Sequence, residues 1–195
     1  MTLKYENKIY EGILKIGDRD RDYIDPEVTN LMFVEKFNIQ TLILCIRIDM
    51  YVKLRSNTIK ELILGTQRFK GNKLLNLNLD DLDLENLEVL DLENNNLVND
   101  QLYNLTKFKK LNTLNVSWNK VGLMNIHSVT SLIKLYMRKC NLKNIDLISS
   151  LVNLHELDLS KNTDLDLSPL CKVKSLKKLS TVVGPRNAFL NQEEE

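Results

Sequence analysis

The sequence predicts an α/β solenoid. Short parallel strands stack into a concave sheet, and short helical, 3-10 or irregular segments return along the convex side with the usual right-handed crossover. Three observations predict it. First, apolar residues recur at intervals of three and two, followed three places on by a small polar residue. LHELDLSKNTDL, for example, carries Leu154, Leu157 and Leu159, then Asn162, then Leu165. Second, this unit starts again at residues 39, 59, 87, 111, 132, 154 and 176, at intervals of 20, 28, 24, 21, 22 and 22. Third, between units the apolar residues fall about every third place, as in Leu102, Leu105, Phe108 and Leu111, which suits a short helical or 3-10 turn.

The elements follow in chain order. Residues 1–38 read as an N-terminal cap. GILKIGD, around Leu14 and Ile16, is a candidate degenerate first repeat, and DPEVTNLMFVEKF reads as a helix with Asp25 as N-cap, Pro26 at its first position and Glu27 in its first turn. Residues 39–183 are the repeats. IQTLILCIRID and IKELILGTQRF open them with Arg47 and Gln67 at the polar position. LEVLDLENNNL, LNTLNVSWNKV, LIKLYMRKCNL and LHELDLSKNTDL then supply Asn95, Asn119, Cys140 and Asn162, and LKKLSTVVG begins the last unit. In NTDLDLSPL, Pro169 ends any long helix and Ser168 is a candidate cap for a short one. Residues 184–195 begin with Gly184-Pro185 and close on Glu193, Glu194 and Glu195, an acidic, solvated tail.

In each unit the centre alternates apolar and polar, so Leu157 and Leu159 face inward while Glu156, Asp158 and Ser160 face outward. One unit cannot bury its apolar face alone, so stacking is required. The polar residue then satisfies backbone groups left inside the sharp turn after the strand. Asn95, Asn119, Cys140 and Asn162 form such a structural ladder, with the thiol making the weaker bond. Asn96, one place beyond the ladder, is expected to be neutral on replacement.

The pattern LxxLxLxx(N/C)xL resembles the leucine-rich repeat family, in its short class of about 22 residues found in phosphatase-regulator and internalin-like proteins. The resemblance spans roughly residues 39 to 183 and is most specific from Leu87 to Leu176. It implies a non-catalytic protein-interaction module that binds through its concave face. The alternative it implies is a regulatory subunit or targeting factor of an enzyme such as a protein phosphatase.

Composition fits this reading. Aromatics are 6% of the 195 residues, so the core must be aliphatic, and a net charge of +1 gives no electrostatic reason to expect nucleic acid or an anionic membrane as partner. The longest apolar stretch is LILCI, Leu42 to Ile46, and the opening MTLKYENKIYEGILK breaks its apolar residues with charge. The cysteines Cys45, Cys140 and Cys171 include no CxxC pair, which suggests a reducing compartment, the cytoplasm or alternatively the nucleus. The chain is expected to be a monomer on its own.

No constellation points to catalysis. His127 and His155 belong to different units and have no ligand-spaced partner. The acidic run Asp80 to Glu85, and the pair Asp164 and Asp166, alternate with leucines and read as outward faces around inward Leu82, Leu84, Leu165 and Leu167. A weak calcium site at that run is the alternative, although it lacks a glycine-containing ligand loop. There is no GxxxxGK[ST], GxGxxG or GxSxG. No catalytic, cofactor or metal residue is therefore assigned.

What remains is the outward row of the strands: Val89, Asp91, Glu93 and Asn94, then Thr113, Asn115, Ser117 and Trp118, then Lys134, Tyr136, Arg138 and Lys139, then Glu156, Asp158, Ser160 and Lys161. Trp, Tyr and Arg are enriched at binding hot spots. The candidate partner-binding residues are Asp91, Glu93, Asn115, Trp118, Lys134, Tyr136, Arg138, Lys139, Glu156 and Asp158.

Overall fold

The structure is a computed structural model, and it describes residues 9–10, 13–16, 31, 34, 38–44, 53–65 and 77–181. Its strands are β1 (Ile9–Tyr10), β2 (Ile13–Ile16), β3 (Thr41–Leu44), β4 (Leu54–Arg55), β5 (Glu61–Ile63), β6 (Leu82–Asp83), β7 (Val89–Asp91), β8 (Thr113–Asn115), β9 (Lys134–Tyr136), β10 (Glu156–Asp158) and β11 (Lys178–Ser180). Nine of them form one sheet in the order β1-β2-β3-β5-β7-β8-β9-β10-β11. Every pairing in it is parallel except the β1/β2 hairpin.

The register follows the repeat. One leucine of each strand is in register with that of the next: Leu14 with Leu42, then Leu62, Leu90, Leu114, Leu135, Leu157 and Leu179. GILKIGD thus supplies a strand, β2, that stands parallel to β3. From Leu42 to Leu157 these residues are fully buried, and each such side chain is worth about 1.5–3 kcal/mol removed from water. Leu179, at the end of the stack, is 36% exposed because no later strand among the described residues covers it. The return halves close the core with buried Leu102, Leu105, Phe108, Ile126, Ile145, Ile148, Leu151 and Leu170. They run through 3-10 turns at Leu79–Asp81, Asn99–Leu102, Leu105–Lys107, Asp146–Ser150 and Ser168–Lys172.

Two features lie outside the repeat logic. β4 and β6, both in return halves, pair in parallel as a second, two-stranded sheet. The residue before the ladder position is left-handed in four successive coils: Asn94 (φ 57°), Trp118 (φ 59°), Lys139 (φ 52°) and Lys161 (φ 60°). For non-glycine residues this costs about 1–2 kcal/mol each. It is held in place by backbone bonds to the next coil, from Asn94 N to Ser117 O (2.9 Å), Trp118 N to Arg138 O (2.7 Å) and Lys139 N to Ser160 O (2.9 Å).

Three sequence expectations are corrected. Ser168 is not a cap but lies inside its 3-10 turn, where its own N–H and hydroxyl donate to Asp166 at 2.8 and 2.9 Å. Asn96 sits at φ 56°, so its replacement by Ala is not neutral and costs roughly 1–2 kcal/mol. Ser117, expected on the exposed row, is buried at 5% exposure and accepts the Arg138 N–H. Of the expected cap helix only Leu31 and Val34 are described, and both are buried. Asp25, Pro26, Glu27, Phe33 and Phe37 lie outside the described residues, as do Cys45, Arg47, Gln67 and residues 184–195.

Candidate protein-binding face

The face rests on the ladder beneath it. Asn119 donates through Nδ2 to Leu92 O (2.9 Å), Val116 O (2.9 Å) and Ser117 O (3.2 Å), and its Oδ1 accepts from Asn95 N (3.0 Å) and Leu97 N (2.9 Å). Asn162 repeats this two coils on. It donates to Met137 O and Leu159 O and accepts from Cys140 N and Leu142 N. Asn95 donates to Leu64 O, Leu92 O and Glu93 O, while its Oδ1 is buried without a donor. Cys140 Sγ reaches Val116 O at 3.2 Å, and burial pushes its thiol up to about 12. These bonds fix the turn after each strand and so fix where the outward side chains emerge.

Asp91 and Glu93 emerge from β7 and the turn after it, and both are half-buried. Asp91 accepts from Glu93 N at 2.8 Å, and Asn115 Nδ2 on β8 lies 3.3 Å from both Asp91 Oδ2 and Glu93 Oε2. Burial holds both carboxyls above their ordinary range. For Glu93 the charge of Asp91 adds to this, while Asn115 and Arg138 oppose it. Gly65 makes room for this arrangement, since a Cβ there would stand 2.2 Å from Asp91 Oδ1 and 2.8 Å from Glu93 N. Gly65 is a position of the candidate face that sequence reading missed. It stands in the row of Glu93, Ser117, Arg138 and Ser160, and it is the one glycine among them.

Next come β8 and β9. Trp118 is 37% exposed, with Lys139 Nζ 4.1 Å and Lys161 Nζ 5.2 Å from its ring centroid. The left-handed backbone of this row brings the three side chains of successive coils together, and each cation–ring contact is worth about 0.5–1 kcal/mol at such a site. Lys134 is exposed, while Tyr136 and Arg138 are half-buried. Burial, followed by the neighbouring Glu156 and Asp158 charges, raises the Tyr136 phenol. Arg138 Nε is buried without an acceptor. On β10, Glu156 takes Lys178 Nζ at 2.7 Å, which holds its carboxyl below the ordinary range, and Asp158 accepts from Ser160 N at 2.8 Å. All ten candidate residues therefore lie on β7 to β10 or in the turns that follow them.

The other candidates are used up structurally. Asp80 accepts from Tyr103 Oη and from Asn104 Nδ2 (2.5 Å), which hold its carboxyl low, and Asp83 pairs with Arg55 at 3.3 Å. Asp166 holds Ser168. His127 Nδ1 meets Leu123 O, and His155 Nδ1 meets Asn153 O. A cavity of about 350 Å³ lined by Arg55, Ser56, Asn57, Asp83 and Glu85 lies beside the small second sheet. Among the described residues, no group of three or more His, Cys, Asp or Glu is placed to hold a metal, and no helix is long and apolar enough to cross a membrane.

No protein-family profile matches the chain, and no curated protein does. Among solved structures, internalin C2 of Listeria monocytogenes strain 4b F2365 is similar, with a TM-score of 0.55 over 88% of this chain and 80% of that one, at 21% identity. That likeness concerns the fold, and it agrees with the repeat register. The chain has the fold of a leucine-rich repeat solenoid.

Proposed function

Taking the chain as a leucine-rich repeat solenoid, we propose that it is a cytoplasmic, non-catalytic module that binds a protein partner through the concave face of β7 to β10. Trp118 and Tyr136 are the anchors, and Asp91, Glu93, Asn115, Lys134, Arg138, Lys139, Glu156 and Asp158 surround them. A single copy suffices for this, and neither nucleic acid nor membrane takes part.

One observation carries the reading. Four charge pairs are satisfied within the molecule: Arg55 with Asp83, Lys60 with Glu88 and Lys107 with Asp80 away from the face, and Lys178 with Glu156 at its β10 side. At the centre of the concave face, half-buried Asp91, Glu93 and Arg138 make no ion pair within 4.0 Å among the described residues. Desolvated charge left without a partner is costly in a free protein and becomes useful once a complementary surface arrives. Free Cys140 and Cys171 support the reducing compartment.

The test is affinity capture from cell extract with three baits: wild type, a Trp118→Ala/Tyr136→Ala double variant, and Lys143→Ala on the convex side. A protein held by the wild type and Lys143→Ala but lost by the double variant supports the concave site. Equal capture by all three baits places binding elsewhere and refutes it.

A further inference from the structure

The unpaired charges have an order. Asp91 and Glu93 belong to the β7 coil, Asn115, Ser117 and Trp118 to the β8 coil, and Arg138 and Lys139 to the β9 coil. The negative and positive centres are thus two strands apart, about 10 Å at roughly 4.8 Å per strand. The two lysines over Trp118 extend the positive side toward β10.

We propose that the partner presents a basic and an acidic side chain about 10 Å apart, the basic one docking on Asp91 and Glu93 and the acidic one on Arg138 and Lys139. This rests on the concave-face reading above. A wholly acidic partner meets the desolvated Asp91 and Glu93, and a wholly basic one meets Arg138, Lys139 and Lys161. Each clash selects against the wrong partner, and the order of charge also fixes the partner's direction along the solenoid. In a polyproline-II segment, where every third residue returns to one face, the two residues stand about three apart, and in a helix about two turns apart. Trp118 belongs to the coil between the two centres, and its ring lies against the Lys139 and Lys161 ammonium groups on the positive side.

The probe is a displayed library of random short peptides selected on the full chain. Recovered sequences are then synthesised and titrated against four proteins: wild type, Asp91→Asn/Glu93→Gln, Arg138→Gln/Lys139→Gln, and Trp118→Ala. Circular dichroism checks that every variant is folded. The expected consensus has a basic residue and an acidic residue at one of those spacings. Each charge variant should weaken binding about tenfold or more, and so should exchanging the two residues in the peptide. Peptides that lose affinity only with Trp118→Ala overturn the charge order and leave the concave site standing. Peptides indifferent to all three variants, or no enrichment on the wild type, overturn both.

Discussion

Replacing Asn119 by Ala removes five hydrogen bonds, but they are unequal. The three carbonyls it serves have second donors: Leu92 O also receives Asn95 Nδ2 (3.0 Å), Val116 O receives Cys140 Sγ (3.2 Å) and Ser117 O receives Asn94 N (2.9 Å). The amides of Asn95 and Leu97 find their acceptor in Asn119 Oδ1, at 3.0 and 2.9 Å, and both are buried. Two stranded N–H groups at about 1–3 kcal/mol each predict a loss of about 2–6 kcal/mol. Asn95→Ala strands no amide, because the Asn95 Oδ1 accepts nothing, and it should cost about 1 kcal/mol, the order of one ordinary net bond. Asn162→Ala strands Cys140 N and Leu142 N and should resemble Asn119→Ala. Urea unfolding followed by circular dichroism gives the three values, with the slope checked for constancy. If Asn95→Ala proved as damaging as Asn119→Ala, the claim that orphaned amides dominate would be wrong.

Three further outcomes are expected. Leu157→Asp buries an unpaired carboxylate at a fully buried position and should abolish cooperative folding, whereas Asp158→Leu loses only the bond to Ser160 N, about 1 kcal/mol; thermal melts compare them. With its thiol pushed up to about 12 and its side chain buried, Cys140 should resist iodoacetamide at pH 8 while exposed Cys171 reacts, as peptide mass mapping would show. The Asp91 carboxyl is raised above 3.8 by burial, so the folded state takes up its proton first. Wild type should therefore gain stability relative to Asp91→Asn as pH falls through the raised folded value toward 3.8, and lose that gain at neutral pH; denaturation midpoints of the pair between pH 7 and pH 4 report it.

The strands were legible because their cause is local. Leucines at the first, fourth and sixth positions define a slice of core, and counting from them places β7 to β11 residue by residue. The left-handed row was not legible. Trp118, Lys139 and Lys161 have no intrinsic preference for that backbone; hydrogen bonds to the next coil impose it, and those depend on the stack as a whole. The second sheet escaped for a similar reason. Leu54–Arg55 and Leu82–Asp83 are too short to announce themselves, and only their alignment in space pairs them. On the candidate face, the residue types and rows were readable from the repeat template. The burial of Ser117 and the space that Gly65 leaves for Asp91 come from packing between coils.

The ladder also has a direction. Asn95 reaches back to Leu64, Asn119 to Leu92 and the Asn95 and Leu97 amides, and Asn162 to Met137 and the Cys140 and Leu142 amides. Every such bond between coils points toward the N-terminus, so each coil is finished by the one synthesised after it. During translation a newly emerged coil holds open amides until the next asparagine leaves the ribosome. Shortening the chain from the C-terminus therefore opens buried ladder amides in the coil that remains, whereas a cut from the N-terminus opens none of these and costs the next coil its strand bonds and core cover instead.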